Sequence, residues 1–152
     1  MKKILLLSLV FVLNTVVFSY EVNILSIING DTFLASKDGR EIKVRMKGID
    51  APKLKEDYGK EAKKYLSRLI LNKKVDIKES NVDKYGRVVG EIFLNNENIN
   101  ILMLKTGNAR CMKSQKSEKN YMNAQKLAQK EKKGLWGGKN PKSPREFRTE
   151  KK

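Results

Sequence analysis

The clearest structural signal in this chain is the stretch Glu41-Ile42-Lys43-Val44-Arg45-Met46-Lys47-Gly48-Ile49-Asp50-Ala51-Pro52. Apolar and charged residues alternate strictly over residues 41–47, which predicts a β-strand with one buried face and one polar face. Ala51-Pro52 ends the strand region because proline cannot donate to a strand ladder. The pattern therefore places Arg45 on the polar face near the end of its strand, with Asp50 a few residues further on.

Two more strands are predicted on the N-terminal side of this stretch. Residues 21–28 carry apolar side chains at Val22, Ile24 and Ile27 and end at the turn Asn29-Gly30. Residues 31–36 form the hairpin partner, and a second turn at residues 37–40 leads into the alternating strand. These three segments predict an antiparallel meander.

On the C-terminal side, helical and extended patterns alternate. Residues 59–71 predict a helix, residues from 75 onward and 87–94 predict two strands, and residues 99–106 predict a short helix ended by Gly107. A last helix, capped by Ser117, runs to residue 133 with its inward face formed by Tyr121, Ala124, Leu127 and Ala128. We therefore predict an α+β, mainly β fold, in which five strands form a small closed barrel with about three helices packed outside it.

Both ends of the chain differ in composition from this domain, which we assign to residues 20–138. Residues 1–19 have a basic start at Lys2 and Lys3 and then an almost wholly apolar run, which predicts a cleaved export signal. The alternative is a membrane anchor, but the run is about fifteen residues against roughly 20 for a bilayer span. We therefore expect an exported protein without stable membrane insertion. Residues 139–152 predict a disordered basic tail.

Composition narrows the chemistry. Lys and Arg number 33 against 17 Asp and Glu, a formal net charge of +16, which suits a polyanionic partner such as nucleic acid or an anionic surface. The chain has no histidine, so Ser-His-Asp catalysis and a Cys–His pair using Cys111 are excluded. Any general base must be Asp, Glu, Lys or Tyr.

Two acids and two arginines stand near predicted strand ends. Asp31 and Asp50 are oxygen ligands of the kind that calcium accepts, and the backbone carbonyl of Ala51 could join them. Arg45 and Arg87 could clamp one phosphate through their planar forks. Each residue also has a simpler interpretation: Asp31 as part of a hairpin turn, Asp50 as a cap before Pro52, and the arginines as surface salt-bridge partners.

The order and spacing of several motifs favour the metal and phosphate site over these simpler interpretations. They are Asn29-Gly30-Asp31-Thr32-Phe33, Val44-Arg45-Met46-Lys47-Gly48-Ile49-Asp50-Ala51-Pro52, Tyr58-Gly59-Lys60-Glu61-Ala62, Asp83-Lys84-Tyr85-Gly86-Arg87, residues 100–109 and Gly134-Leu135-Trp136. Together they make the chain resemble the staphylococcal nuclease (thermonuclease) family over about residues 21–138.

The resemblance implies an OB-fold barrel and a calcium-dependent endonuclease that acts on DNA and RNA, preferably single-stranded, and leaves 3′-phosphate ends. It implies one Ca²⁺ ion, held by Asp31, Asp50 and the carbonyl of Ala51, and it gives Arg45 and Arg87 the role of catalytic arginines. Lys84 and Tyr85 match positions that contact the nucleotide. A monomer is the default expectation.

Three departures from the family pattern stand out. Lys53 occupies the general-base position, where a glutamate is expected, and a charged lysine cannot accept a proton. Glu56 or Asp57 could take over if the loop brings one of them into the site. The tyrosines usual shortly after Ala109 are absent, and Gln125 replaces a glutamate, which we interpret as a packing or hydrogen-bonding change.

Three hypotheses follow from the sequence. The first is an exported metal-dependent nuclease, with activity reduced by Lys53. The second is a non-catalytic OB-fold module that binds nucleic acid. The third is a basic exported protein that adheres to an anionic cell surface through residues 139–152. The destination, whether periplasm or medium, and the physiological substrate stay open.

Overall fold

The strands follow the predicted order, with small shifts at their ends. The computed structural model of the chain describes residues 18–115 and 118–138. Most of the predicted export signal, the Ser117 cap and the predicted tail at residues 139–152 lie outside these residues. Ser19, the last residue assigned to the signal, already begins the first strand.

Eight strands and three α-helices are formed by the described residues. The strands are β1 (Ser19–Asn29), β2 (Thr32–Lys37), β3 (Arg40–Met46), β4 (Ile49–Asp50), β5 (Lys74–Val82), β6 (Val88–Leu94), β7 (Glu97–Asn98) and β8 (Arg110–Cys111). The helices are α1 (Gly59–Ile70), α2 (Ile99–Lys105) and α3 (Lys119–Lys130), with short 3₁₀ turns at Lys113–Gln115 and Gly134–Gly137.

The five long strands close into a barrel. Strands β3, β2, β1, β5 and β6 are hydrogen-bonded in that order, each to its neighbour, and β3 and β6 pair in parallel to close the ring. β7 extends the sheet beyond β6, while β4 and β8 form a separate two-stranded ladder. The predicted α+β, mainly β fold with an OB-type barrel and three helices is confirmed.

The pairing that closes the barrel also brings the two predicted arginines near each other. Arg45 in β3 is paired with Val89 in β6, and Arg87 stands immediately before β6. The alternation predicted for β3 holds, because Val44 and Met46 are fully buried in the core. Arg45 consequently leaves the barrel on the side opposite to those apolar residues.

Helix α1 packs against the β1–β2 turn through very small side chains. A Cβ atom on Gly30 would lie 2.8 Å from the Cβ of Ala62 and 2.9 Å from the Cβ of Ala51. Gly30 is therefore required by close approach, and its absent side chain lets α1 seat directly behind the β1–β2 turn. Leu66 and Ile70, one and two turns further along, are fully buried.

The last helix departs from the prediction at one position. Tyr121, Ala124 and Ala128 face the core as expected, but Leu127 is 36% exposed. At about 100° per residue, Leu127 lies roughly 60° beyond Ala124 around the helix, at the margin of the buried stripe. The prediction that Leu127 faces inward is wrong for this reason.

The short helix α2 ends as predicted. Gly107 has a φ of +72°, the left-handed conformation that glycine adopts readily after a helix. Within the part of the chain that the structure describes, no helix combines the length and apolar character needed to cross a bilayer.

Candidate active site

The predicted site residues meet in one cleft at the end of the barrel. It has a volume of about 380 Å³ and is formed by the β1–β2 turn, the end of β3, the segment after β4 and the turn before β6. Its lining residues are Asn29, Asp31, Thr32, Arg45, Asp50, Ala51, Lys53, Tyr85 and Arg87. The cleft thus contains every residue predicted for the site except Lys84.

Arg45 links the two predicted metal-binding acids. Its Nη1 lies 2.6 Å from Oδ2 of Asp31, and its Nη2 lies 3.4 Å from Oδ1 of Asp50. Nη2 also donates a 2.9 Å hydrogen bond to the backbone oxygen of Ile49, which fixes the plane of the guanidinium. One cation therefore offsets the repulsion that two neighbouring carboxylates would otherwise suffer.

Asp31 is held tightly at the floor of the cleft. The residue is only 4% exposed, and its carboxylate accepts hydrogen bonds from the hydroxyl of Thr32 (2.8 Å) and the backbone N–H of Ala51 (2.7 Å). A carboxylate has about four acceptor positions, and these two bonds and Arg45 use three of them. Asp31 therefore has about one position left for a cation in the cleft.

Arg87 is oriented by an acid that the sequence reasoning did not single out. Oδ2 of Asp83 lies 2.8 Å from Nε and 2.7 Å from Nη2 of Arg87. Oδ1 of Asp83 accepts hydrogen bonds from the backbone N–H groups of Tyr85 and Arg87, which closes the turn. The hydrogen bond from Arg87 holds the pKa of Asp83 below its usual value. An Asp followed three residues later by Gly86 was the available signal, since that spacing is typical of a turn closed by an Asp side chain.

Lys84 and Tyr85 occupy the tip of the same turn. The Tyr85 ring is 71% exposed and lines the cleft. The guanidinium carbon of Arg87 lies 5.3 Å from its centroid and Nζ of Lys84 lies 5.1 Å from it. Lys84 itself stands beside the ring, outside the cleft lining. The turn therefore offers an aromatic face flanked by two cations.

The loop after Pro52 carries Lys53, whose ammonium group stands at the position where a general base is expected. Lys53 is exposed and lines the cleft. Glu56 is buried, its carboxylate accepts a 3.0 Å hydrogen bond from the backbone N–H of Lys53, and its own N–H donates to the Lys53 carbonyl. Asp57 is exposed, and neither Glu56 nor Asp57 is among the cleft residues.

Gln125 has a structural role behind the cleft. Its side-chain oxygen accepts a 2.7 Å hydrogen bond from the backbone N–H of Cys111, which ties α3 to β8. β8 in turn pairs with β4, with Arg110 opposite Asp50. The interpretation of Gln125 as a hydrogen-bonding residue fits this contact, and Cys111, the single cysteine of the sequence, is half-buried.

The donor set of the cleft fits a hard cation that takes oxygen ligands. No group of three or more His, Cys, Asp or Glu side chains within residues 18–115 and 118–138 could hold a metal ion alone. Asp31 and Asp50 are both within reach of Arg45, and Ala51 lines the same cleft. Calcium tolerates such a sparse set because water and a substrate phosphate can complete its six to eight oxygens, whereas zinc usually needs four protein or water ligands with nitrogen or sulfur among them.

Together, the barrel and the cleft define an OB-fold protein that brings two acids and two arginines into one site. Residues 43–138 match the family described as staphylococcal nuclease homologue. The chain therefore belongs to the staphylococcal nuclease family, and the prediction of a hydrolase of the nuclease class is confirmed at this level.

Individual relatives agree with the family assignment. An uncharacterized endonuclease of Haemophilus influenzae is 35% identical over 99% of this chain and 88% of its own length. The thermonuclease of Staphylococcus hyicus is 34% identical over 74% of this chain and 73% of its own length. A probable staphylococcal-like nuclease of Oryza sativa is 39% identical over 73% of this chain, which spans only 30% of that longer relative.

Proposed function

We propose that this protein is an exported, calcium-dependent endonuclease that hydrolyses phosphodiester bonds of DNA and RNA, preferably single-stranded, to 3′-phosphate ends. The observation that carries the proposal is the single cleft that holds Asp31, Asp50, Arg45 and Arg87. Simple binding of a nucleic acid needs cations on a surface. It does not need two acids beside the cations that face the phosphate.

The two arginines would bind and stabilise the reacting phosphate. Each stays positively charged at any working pH, and a bound phosphate would share the Nη1 and Nη2 donors of Arg45 with Asp31, Ile49 and Asp50. Hydrolysis adds a water oxygen to phosphorus and breaks the bond to the 5′ oxygen, so negative charge grows on the equatorial phosphate oxygens. Donors fixed in place before the reaction stabilise that charge most effectively, and the contacts to Asp31, Asp50 and Asp83 fix both guanidinium groups.

Asp31, Asp50 and the carbonyl of Ala51 would hold the calcium ion. When bound, the ion would polarise a phosphate oxygen as a Lewis acid. Lys53 lines the same cleft and adds positive charge near the phosphate, but it provides no proton acceptor while it is charged. The attacking water would therefore lose its proton to solvent, and loss of general-base help typically costs about 10²–10⁴-fold in rate.

A second candidate function has specific support. A nucleic-acid-binding module without catalysis is favoured by Lys53 at the general-base position, with Glu56 tied to the Lys53 backbone. Such a module would bind single strands in a strongly salt-dependent way and release no products.

Digestion of denatured DNA by the purified mature protein tests the proposal. We expect slow cleavage with calcium, no cleavage with chelator, and fragments that a polymerase extends only after phosphatase treatment. Arg87→Ala is the matched control, because it should abolish cleavage without removing a calcium ligand. Binding without products at every calcium concentration would establish the second candidate instead. Mass spectrometry of protein recovered from the medium and from the periplasmic fraction tests export, and a mature chain that begins near Tyr20 is expected.

A further inference from the structure

A second groove lies on the outer face of α1, separate from the cleft. It has a volume of about 360 Å³, and its α1 side is lined by Tyr58, Glu61, Lys64, Tyr65 and Arg68. Residues spaced three and four apart share one face of a helix, so this side of the groove is a continuous strip. Two aromatic rings, two cations and one carboxylate lie along it.

The aromatic surfaces of the groove are partly open. Tyr58 and Tyr65 are both half-buried, so each packs one part against the protein and exposes the rest. The guanidinium carbon of Arg68 lies 5.6 Å from the Tyr65 centroid. Burial, and secondarily the charge of Glu61, raises the pKa of Tyr58, so its phenol stays neutral and does not repel a phosphate.

The opposite wall of the groove is held in place by hydrogen bonds. It is formed by the turn after α2, where Thr106 and Asn108 line the groove. Asn108 is 3% exposed, and its amide donates a 2.9 Å hydrogen bond to the hydroxyl of Thr106. The backbone oxygen of Gly107, between them, accepts a hydrogen bond from Leu135. A wall fixed in this way needs little ordering when a ligand binds.

The groove and the cleft are neighbours across one short loop. Lys53, which lines the cleft, has its carbonyl so close to Gly59 that a Cβ there would lie 1.8 Å from the oxygen. Tyr58 directly precedes Gly59 and lines the groove. A polymer that leaves the cleft over residues 53–58 would therefore enter the groove next.

We propose that this groove is a second binding site for the same single strand, which holds nucleotides beyond the scissile phosphate. Bases would stack on Tyr58 and Tyr65, and phosphates would pair with Lys64 and Arg68. Two cations against the one carboxylate of Glu61 leave the groove positive, which complements a polyanion. The inference rests on the proposed function for the identity of the strand. A stacking groove would favour the single strands of the proposed function, because bases in a duplex cannot reach a stacking surface.

Binding of labelled oligothymidylates in chelator, measured by fluorescence anisotropy, tests the groove without needing catalysis. The lengths should run from a dinucleotide to the upper end of the range of about 4–16 nucleotides that an OB fold covers. Arg68→Gln removes an exposed cation, and Tyr65→Leu removes the stacking ring but keeps an apolar side chain. Lys126→Gln, which removes an exposed cation on α3, is the matched control.

We expect both groove variants to bind the longest oligonucleotides about fivefold or more weakly than the native protein does. The loss of affinity should grow with oligonucleotide length, and the control variant should bind as the native protein does. A loss of affinity that is equal at all oligonucleotide lengths, or equally large in the control variant, would overturn the proposal that the groove binds the strand. If the native protein cleaves nothing, the proposed endonuclease activity is wrong, while these binding isotherms still test whether the groove binds the strand. If the native protein cleaves and the groove variants show the same length dependence of affinity as the control, only the proposal for the groove is wrong.

Discussion

The side chain at position 53 determines whether the cleft carries an additional positive charge. Arg45 already offsets Asp31 and Asp50, and Lys53 adds a further cation beside them. An extra cation favours binding of the phosphate diester in the ground state as well as in the transition state. Binding both states equally does not raise kcat. Under the proposed function, Lys53 is therefore expected to favour affinity over turnover.

Replacing Lys53 by glutamate should raise the rate of cleavage. The carboxylate would supply a proton acceptor at the general-base position, and such groups typically contribute about 10²–10⁴-fold. The measurement is kcat on denatured DNA at saturating calcium. Lys53→Gln separates the loss of charge from the gain of a base, and Lys55→Glu makes the same charge change on an exposed neighbour outside the cleft. An unchanged rate in Lys53→Glu would mean that another group already accepts the proton.

At the scale of elements, local patterns predicted most of the barrel. The strict alternation in β3 fixed which residues enter the core, and Gly107 marked the end of α2, because both features depend only on nearby residues. The parallel pairing of β3 with β6 joins residues more than forty positions apart, and no local pattern specifies it. The number and order of the strands predicted a closed barrel and the resemblance implied its OB type, but neither named the pair of strands that closes it.

For the site, too, the residue types could be predicted from the sequence, whereas the contacts between the residues could not. The types of Asp31, Asp50, Arg45 and Arg87 were readable in the sequence, since they follow from the chemistry of a phosphate. The link from Arg45 to both acids depends on side-chain placement, which only the folded barrel determines. The same holds for Asp83, whose contacts to Arg87 span a turn that appears ordinary in sequence.

The turn before β6 gives a prediction for Asp83→Asn. The variant keeps an oxygen that can close the turn but loses the charge that orients Arg87, so kcat should fall about tenfold or more.

The same ion pair gives a prediction for stability. Because Arg87 lowers the pKa of folded Asp83, the contribution of Asp83 to stability is complete above the usual carboxyl pKa and is lost as pH falls below about 4. Thermal melts should therefore show a gap between native protein and variant at neutral pH that narrows in acid. A gap that is constant with pH would contradict this role.

The whole molecule carries a formal charge of +16, and this field acts on any polyanion before a specific contact forms. The cleft, by contrast, offers a small number of fixed cations at one end of the barrel. The two contributions differ in how a single charge removal changes binding. A diffuse field weakens by the same amount wherever the cation is removed, whereas a localised contact is lost only at its own position.

Salt dependence of binding separates these contributions through Lys84. Its ammonium stands beside the Tyr85 ring at the mouth of the cleft, so Lys84→Gln should remove one phosphate contact. For single strands the slope of log Kobs against log salt concentration changes by about 0.7 per phosphate contact. We therefore expect the slope of Lys84→Gln to be shallower by about that amount, measured with a labelled oligonucleotide in chelator. Lys130→Gln, an exposed cation on α3, should keep the native slope. Equal slopes in the two variants would mean that the overall field, and no contact at this turn, governs the binding of the strand.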